Sequence, residues 1–247
     1  HNSGRRQRQM CIRDRSWRID KSFDQLNKKN IDHNIVIIAV HSAKRFKGKF
    51  FDDTRRYIEL FPKEAIDYFE EGQKKRLYTS LSQRSYPDFL VTAVVPFLED
   101  KFQLTLNKDN LGVMGSSMGG LSALNTIIEY PDIFGFAGCL STHWVGIKPG
   151  EYLLLPFRKK IDGDKDTIDA IKKYVVANLS KIKDHRIYFD HGTVGLDYLY
   201  RNPQNDINQI FTENSMIFES KVFEGHDHDP NDFGKRFLPT IKFLLKE

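Results

Sequence analysis

Cysteine is nearly absent from this 247-residue sequence, which contains only Cys11 and Cys139. Two cysteines so far apart give no basis for a disulfide framework or for a cysteine-based metal site. Long apolar runs are absent as well, because no stretch reaches the ~18 consecutive apolar residues that a membrane-spanning helix needs. The sequence therefore predicts neither a disulfide framework nor a membrane span.

The chain does have ample material for a hydrophobic core. Hydrophobic residues make up 40% of it and aromatic residues 13%, with 19 Phe and 10 Tyr. That composition is typical of a packed globular protein rather than a disordered one. The length is sufficient for one large domain.

The net charge of +5 is concentrated near the N-terminus. Residues 1–18 contain six arginines and a single acidic residue, Asp14, so the rest of the chain is electrically balanced. A basic arm that binds phosphates is one interpretation. We favour another, that residues 1–16 are a non-native leader, because the stretch HNSGRRQRQMCIRDRS resembles translated sequencing-adapter read-through in metagenomic reading frames. We therefore expect no nucleic-acid partner.

Strand-like runs alternate with helix-like patterns along the chain. Apolar, β-branched runs predict buried strands at Asn34–His41, Leu111–Met114, Phe134–Thr142, Arg186–Asp190 and Met216–Phe223. Helical spacing of apolar residues predicts helices at Trp17–Asn27, Tyr86–Phe102 (kinked by Pro96), Met118–Glu129, Thr167–Ile182, Leu199–Asn214 and Asn231–Lys246. This alternation predicts an α/β fold with a mostly parallel sheet and helices on both faces. Functional residues of such sheets gather at the carboxyl ends of the strands.

Residues 115–119 form a G-x-S-x-G motif between a predicted strand and a predicted helix. In that setting the motif holds a serine hydroxyl on a tight turn, the nucleophile elbow, and Gly115 and Gly119 leave the space that the turn requires. The backbone N–H of Met118 then points toward the oxyanion that develops in acyl transfer. The motif predicts Ser117 as a nucleophile, and an ordinary glycine-rich turn is the alternative.

Two later loops offer the base and the acid that a nucleophilic serine requires. In one group of serine hydrolases the acid and then the histidine follow the serine along the chain. The loop DHGTVGLD offers Asp190 and Asp197, and the loop FEGHDHDP offers His226 and His228. Ser117, Asp197 and His228 have the required order, and each follows a separate predicted strand. A metal cluster at residues 226–229 is a weaker alternative, because no further ligand motif accompanies it.

Several motifs together resemble the esterase D-like family of the α/β-hydrolase superfamily. They are Arg56–Glu59 with Phe61-Pro62, GSSMGG, EYPDIFG, CLSTHW, DHGT with Leu196-Asp197, and FEGHDH. The resemblance covers roughly residues 17–247. It implies Ser117 as nucleophile, His228 as general base and then general acid, and Asp197 as the orienting acid, with Asp190 in reserve. Gly225 stands three residues before His228, as in the family's G-x-x-H element, which selects His228 over His226.

The resemblance also implies a departure from the family. Its domain begins further upstream, with strands that lead to a loop supplying the second oxyanion donor. We therefore expect residues 17–247 to be a partial α/β-hydrolase domain whose first strands are missing, with the third strand belonging between Asn34–His41 and Leu111–Met114. Such a chain is expected to be poorly stable and weakly active.

Four further residues are candidates for substrate contacts. His143 and Trp144 follow a predicted strand, and Arg56 and Tyr57 lie in the long segment before the first predicted long helix. For each pair, a role in structural packing is the alternative.

The sequence thus predicts a serine carboxylic-ester hydrolase that works through an acyl-enzyme and needs no cofactor. Its partner is expected to be a small-molecule or carbohydrate-linked ester. The alternatives are an acyltransferase on the same fold and a non-catalytic carbohydrate-binding relative. The acyl group, the leaving group, the oligomeric state and the compartment are left open.

Overall fold

A parallel sheet of four strands forms the centre of the computed structural model, which describes residues 17, 19–22, 35–41, 59–70, 72, 75, 79, 85–146 and 163–246. The strands lie in the order β1 (Gly112–Ser116), β2 (Phe136–Leu140), β3 (Arg186–Gly192) and β4 (Phe218–Phe223). Gly112 pairs with Phe136, Phe136 with Arg186, and Ile187 with Phe218. Four of the five predicted strands are therefore confirmed, with ends that differ by a few residues.

Helices occupy the connections between the strands. They are α1 (Tyr86–Phe89), α2 (Val95–Phe102), α3 (Met118–Glu129), α4 (Lys165–Asn178), α5 (Arg201–Glu213) and α6 (Pro230–Leu244). Shorter 3₁₀ helices span Lys63–Tyr68, Leu179–Ile182 and Gly195–Tyr200. Of the predicted helix Trp17–Asn27, residues 19–22 are helical, and most of the remainder lies outside the described residues.

Helices cover both faces of the sheet. Helix α3 packs on β1 and β2, and helix α6 packs on β2 and β3. Neighbouring residues of β2 face opposite sides of the sheet. Cys139 lies in the core cluster with Leu124 of α3. A Cβ on Gly138 would instead meet Thr240 and Leu244 of α6, at 3.0 and 3.3 Å. The predicted α/β arrangement is confirmed.

A π turn lies directly before Pro96, between helices α1 and α2. Residues Leu90–Val94 form a π turn between the two helices, and the N–H of Val95 donates to the carbonyl of Leu90, five residues back. Pro96 then stands in the first turn of α2. Because proline has no N–H and its ring crowds the preceding turn, the wider turn accommodates it without ending the helix.

The predicted strand Asn34–His41 is wrong, because residues 35–41 carry no strand hydrogen bonding. Val36 and Ile38 are 60% and 41% exposed instead of buried. A cavity of about 320 Å³ lies between this segment and β1, lined by Val36, Ile38 and Val40 on one side and by Leu111–Ser116 on the other. A β-branched run forms a buried strand only beside a neighbour that accepts its backbone hydrogen bonds, and no described strand lies next to this segment.

Among the described helices, none combines the length and the apolar character that a membrane span requires.

Candidate active site

Ser117 lies at the turn between β1 and α3, where it is the N-terminal flanking residue of the helix. Its φ of 58° and ψ of −126° fall in a region that residues with a side chain rarely adopt, so the surroundings must hold the strained conformation. They do so through the backbone: the N–H donates to Leu140 at 2.9 Å, and the carbonyl accepts from Gly120 and His143 at 3.0 and 3.2 Å. Met118 is the first residue of α3, where an N–H has no acceptor within the helix.

Of the two glycines in the G-x-S-x-G motif, Gly115 has no room for a side chain. A Cβ on Gly115 would lie 2.4 Å from the carbonyl oxygen of Gly119, which is backbone and cannot rotate away. A Cβ on Gly119 would meet nothing within 4 Å. The space requirement predicted for both glycines therefore holds at Gly115 and is wrong at Gly119.

The variants Gly115→Ala and Gly119→Ala form a matched pair. Gly115→Ala is expected to lower the free energy of unfolding by about 1–3 kcal/mol, because the turn must open to admit the methyl group. Gly119→Ala is expected to change it little, or to raise it by up to about 1 kcal/mol, because alanine favours the helix. Urea unfolding of both variants measures the difference, and equal destabilisation would contradict the proposed crowding.

Asp197 and His228 are joined directly in the structure. Asp197 lies in the 3₁₀ helix after β3 and is fully buried, while His228 lies in the loop after β4. The Nδ1 atom of His228 is 2.7 Å from Oδ1 of Asp197. A carboxylate can only accept, so Nδ1 carries the proton and Nε2 is left as the basic nitrogen. The His228 ring also packs against Tyr200 and Phe233 in T-shaped contacts.

The second oxygen of Asp197 is equally well held. Oδ2 accepts from the hydroxyl of Ser141 at 2.6 Å, from the N–H of Gly192 at 2.6 Å and from Nη1 of Arg236 at 3.0 Å. Burial on its own would raise the pKa of Asp197, but the hydrogen bonds from His228, Ser141 and Gly192 outweigh it and lower this pKa to about 2. Asp197 is therefore an anion throughout the ordinary pH range.

The loop after β4 also carries His226, Asp227 and Asp229, and each of them has its own hydrogen-bond partner. Nε of Arg236 donates to Nδ1 of His226 at 3.2 Å, and Asp229 caps α6 by accepting from the N–H of Asn231. Asp227 accepts from the backbone N–H of His228. In the described part of the chain, no three His, Cys, Asp or Glu side chains form a group that could hold a metal ion.

Asp190 is the reserve candidate for the orienting acid. It is buried and shares the guanidinium of Arg236 with Asp197. Its Oδ1 accepts from the N–H of Ser141 at 3.1 Å and from Nη1 of Arg236 at 3.3 Å, and its Oδ2 meets no donor among the described residues. Burial raises the pKa of Asp190 to about 7, although Arg236 and the Ser141 N–H act in the opposite direction. The two carboxylates share one guanidinium but differ in their other donors within the described residues, because Asp197 accepts from His228, Ser141 and Gly192, whereas Asp190 accepts only from the N–H of Ser141.

The raised pKa of Asp190 predicts a pH-dependent stability. The folded protein keeps a proton on Asp190 that the unfolded chain releases above the ordinary value of 3.8, so the stabilisation is complete below pH 3.8 and is lost as the pH rises through about 7. Asp190→Asn should remove this loss. We expect the stability difference between the original protein and the variant to change by about 2–3 kcal/mol between pH 5 and pH 8, in favour of the variant at pH 8.

Urea unfolding of both proteins at the two pH values measures this change. Groups that titrate in both proteins cancel in the difference, and Asp197 titrates below this window because its pKa is lowered. A difference that does not vary with pH would show that Asp190 is ionised in the folded protein throughout.

Of the four residues predicted to contact the substrate, the structure describes His143 and Trp144. The N–H of His143 contacts Ser117, and its Nδ1 lies 2.8 Å from the hydroxyl of Tyr200. Burial, with a smaller effect of His228, lowers the pKa of His143 to about 3, so its ring is neutral. Trp144 is buried in the core, where its Nε1 donates to Gln204, which favours the structural alternative for this residue. Arg56 and Tyr57 lie outside the described residues.

Sequence reasoning missed two residues of this site, Ser141 and Arg236. Ser141 directly follows β2 in the CLSTHW motif, a position at the carboxyl edge of the sheet that could have identified it. Arg236 had a clearer signal. It stands in helical register with Phe233, Phe237 and Thr240, on the face of α6 that is buried. A charged residue on an apolar face indicates a buried partner of opposite charge.

Each polar residue follows a different strand of the sheet, and their contacts connect the strand ends. Ser117 follows β1, Ser141 follows β2, Asp197 lies in the 3₁₀ helix after β3, and His228 lies after β4. His143 links the first and the last of these, because its backbone contacts Ser117 and its ring contacts Tyr200, which in turn packs on His228. This arrangement places a serine at a helix N-terminus and a hydrogen-bonded aspartate–histidine pair at the same edge of the sheet.

A parallel sheet covered by helices on both faces, with these residues at its carboxyl edge, defines an α/β-hydrolase fold. Solved structures with the same fold include the following two. A ferulic acid esterase superposes with a TM-score of 0.52 at 17% identity, over 66% of this chain and 60% of that one. An IroE-like serine hydrolase from Shewanella oneidensis superposes with a TM-score of 0.51 at 16% identity, over 78% and 57%.

The chain belongs to the esterase family described as "Putative esterase", whose model matches residues 14–241. The predicted family is therefore confirmed. Among curated proteins, YbbA of Bacillus subtilis, an uncharacterized protein, is 30% identical over 60 residues, which is 24% of each chain. The chain spans 60% or less of the length of each of these three relatives.

Proposed function

We propose that the protein is a serine carboxylic-ester hydrolase in which Ser117 is the nucleophile, His228 the general base and Asp197 the acid that orients it. The observation that carries the proposal is the 2.7 Å contact between Nδ1 of His228 and Oδ1 of the buried Asp197. That contact fixes the tautomer in which Nε2 can take a proton from a serine hydroxyl.

The reaction proceeds in two halves. Nε2 of His228 takes the proton of Ser117 while Oγ attacks the ester carbonyl, and the imidazolium then gives the proton to the departing alcohol. The serine is left as an acyl ester. Water repeats the sequence: His228 takes its proton, the oxygen attacks the acyl carbonyl, and Ser117 leaves with the proton, which releases the carboxylic acid.

The local environment supports this cycle. His228 becomes positively charged in each half-reaction, and the anionic Asp197 beside it stabilises that charge. His143, whose backbone N–H donates to the carbonyl of Ser117, has a neutral, buried ring, so it adds no charge near the proposed nucleophile.

The oxyanion of each tetrahedral intermediate is proposed to be held by the N–H of Met118. This residue begins α3, where the helix dipole favours negative charge. A backbone donor of this kind typically contributes about 10²–10³ in turnover.

The substrate is proposed to be a small-molecule or carbohydrate-linked ester. The fold neighbour named a ferulic acid esterase makes methyl ferulate a sensible member of a test panel, beside simple aryl acetates. No cofactor enters the proposed cycle, since the charges and the proton are carried by the chain's own residues.

Labelling with a fluorophosphonate tests the proposal, because such probes react with an activated serine. We expect one adduct, located on Ser117 by peptide mass spectrometry, and hydrolysis of the aryl acetate. The absence of an adduct would favour a non-catalytic carbohydrate-binding relative. Formation of a new ester when an alcohol is added, at the expense of free acid, would favour an acyltransferase.

A further inference from the structure

Arg236 is a fully buried cation beside the candidate site. It projects from α6 with no exposed surface, and the rings of Phe223 and Phe233 lie against its guanidinium, with centroids at 5.5 and 5.7 Å. Burying a guanidinium in this way is costly unless its donors are satisfied. The partners that satisfy them therefore indicate what the residue does.

One edge of the guanidinium holds Asp197. Nη1 donates to Oδ2 of Asp197 at 3.0 Å and to the hydroxyl of Ser141 at 2.7 Å, and the Ser141 hydroxyl in turn donates a hydrogen bond to the same Oδ2. A longer contact of 3.3 Å reaches Asp190. Oδ2 is thereby immobilised, which turns Oδ1 toward His228.

The remaining donors hold the loop that carries His228. Nη2 donates to the carbonyl of Asp227 at 3.1 Å, and Nε donates to Nδ1 of His226 at 3.2 Å. These are the two residues immediately before His228. The packing is tight, because a Cβ on Gly192 would lie 2.0 Å from the carbonyl oxygen of His226 and 2.8 Å from Nη2 of Arg236.

We propose that Arg236 is a positioning residue that sets the contact between Asp197 and His228, since one rigid guanidinium binds both the carboxylate and the loop preceding the histidine. This inference rests on the proposed function for its catalytic consequence. The geometric part of the inference, that Arg236 holds Asp197 and His228 in contact, does not depend on the proposed function.

The chemistry of the guanidinium suits this task better than an ammonium would. Its five donors lie in one plane with fixed angles, so a displacement of the loop relative to the carboxylate would break at least one hydrogen bond. A lysine keeps the charge but is a single flexible donor centre. The charge itself is matched by Asp197, whose pKa is lowered, whereas burial raises the pKa of Asp190 to about 7.

The test compares Arg236→Met and Arg236→Lys with Arg186→Met. Arg186 is a matched control, because its Nε also ties α6 to the sheet, through the carbonyl of Leu244, at the far end of the helix. We expect Arg236→Met to lower kcat for an aryl acetate by about 10²-fold with KM within about twofold, since misplacement by ~1 Å has an effect of that size. Arg236→Lys should recover about tenfold of that loss, and Arg186→Met should keep kcat within about twofold.

A second readout needs no activity. The proton on Nδ1 of His228, hydrogen-bonded to a buried carboxylate, should give a low-field proton NMR signal that His228→Gln removes. We expect the signal to disappear or broaden in Arg236→Met, to weaken in Arg236→Lys, and to persist in Arg186→Met. If Arg236→Met does not fold, Arg236→Lys carries both measurements.

The proposal is overturned if a folded Arg236 variant keeps the NMR signal and the kcat of the original protein, or if Arg186→Met loses them equally. A protein without fluorophosphonate labelling or hydrolysis would refute the proposed function alone. The NMR comparison would still decide whether Arg236 positions Asp197 against His228.

Discussion

Replacing Ser117 by alanine is expected to lower kcat/KM for an aryl acetate by about 10⁴-fold or more, the scale seen when a catalytic nucleophile is removed. The variant lacks the oxygen that forms the acyl-enzyme, so only binding and oxyanion stabilisation remain. Alanine adopts the positive φ of 58° about as poorly as serine, so the turn should persist. Initial rates with p-nitrophenyl acetate and fluorophosphonate labelling measure the two consequences.

Ser116→Ala is the matched control for this prediction. Ser116 ends β1 and lines the cavity beside that strand, one residue before the proposed nucleophile. It should keep kcat/KM within about threefold, because its hydroxyl has no part in the proposed proton transfers. The assignment of Ser117 fails if Ser117→Ala keeps more than a tenth of the original rate, or if Ser116→Ala is the variant that loses labelling.

Asp197→Asn is expected to lower kcat by about 10⁴-fold at pH 7, the effect known for the equivalent change in a Ser-His-Asp triad. The asparagine amide can donate to Nδ1 of His228, which moves the ring proton to Nε2. In that tautomer His228 cannot accept the proton of Ser117. The variant also loses the negative charge that stabilises the imidazolium, while KM should change far less than kcat.

Asp190→Asn tests the alternative acid in the same assay. It removes a carboxylate from the same network, beside the same arginine, without touching His228. Its kcat should fall by less than about tenfold. Circular dichroism and urea unfolding must show that both variants are folded, and a larger loss in Asp190→Asn than in Asp197→Asn would reassign the orienting acid.

The elements that were predicted well have strong local signals. Helix α3 matches its predicted bounds, Met118–Glu129, because glycines mark its beginning and Tyr130-Pro131 marks its end. The order of Ser117, Asp197 and His228 was likewise readable, since each follows an apolar strand-like run. The structure brings Asp197 and His228 into contact, and the role of Ser117 stays a prediction.

The features that were missed depend on partners distant in sequence. Asn34–His41 has a strand's composition, but composition does not reveal whether a neighbouring strand exists to pair with it. The role of Arg236 depends on groups from three other segments, among them Ser141 and Asp197, which no local pattern near residue 236 encodes. Gly119 shows the same limit at short range, because a motif position does not tell which glycine is crowded.

The parallel order β1-β2-β3-β4 has a consequence for folding. Each neighbouring pair of strands is joined only by a crossover connection, so every pairing closes a long loop and forms slowly compared with a helix or a hairpin. Arg236 can bind Ser141, Asp190 and Asp197, and Asp197 can contact His228, only after all three strand pairings are in register. Partly folded chains therefore hold no assembled site, and the proposed activity is expected to appear only at the last stage of folding.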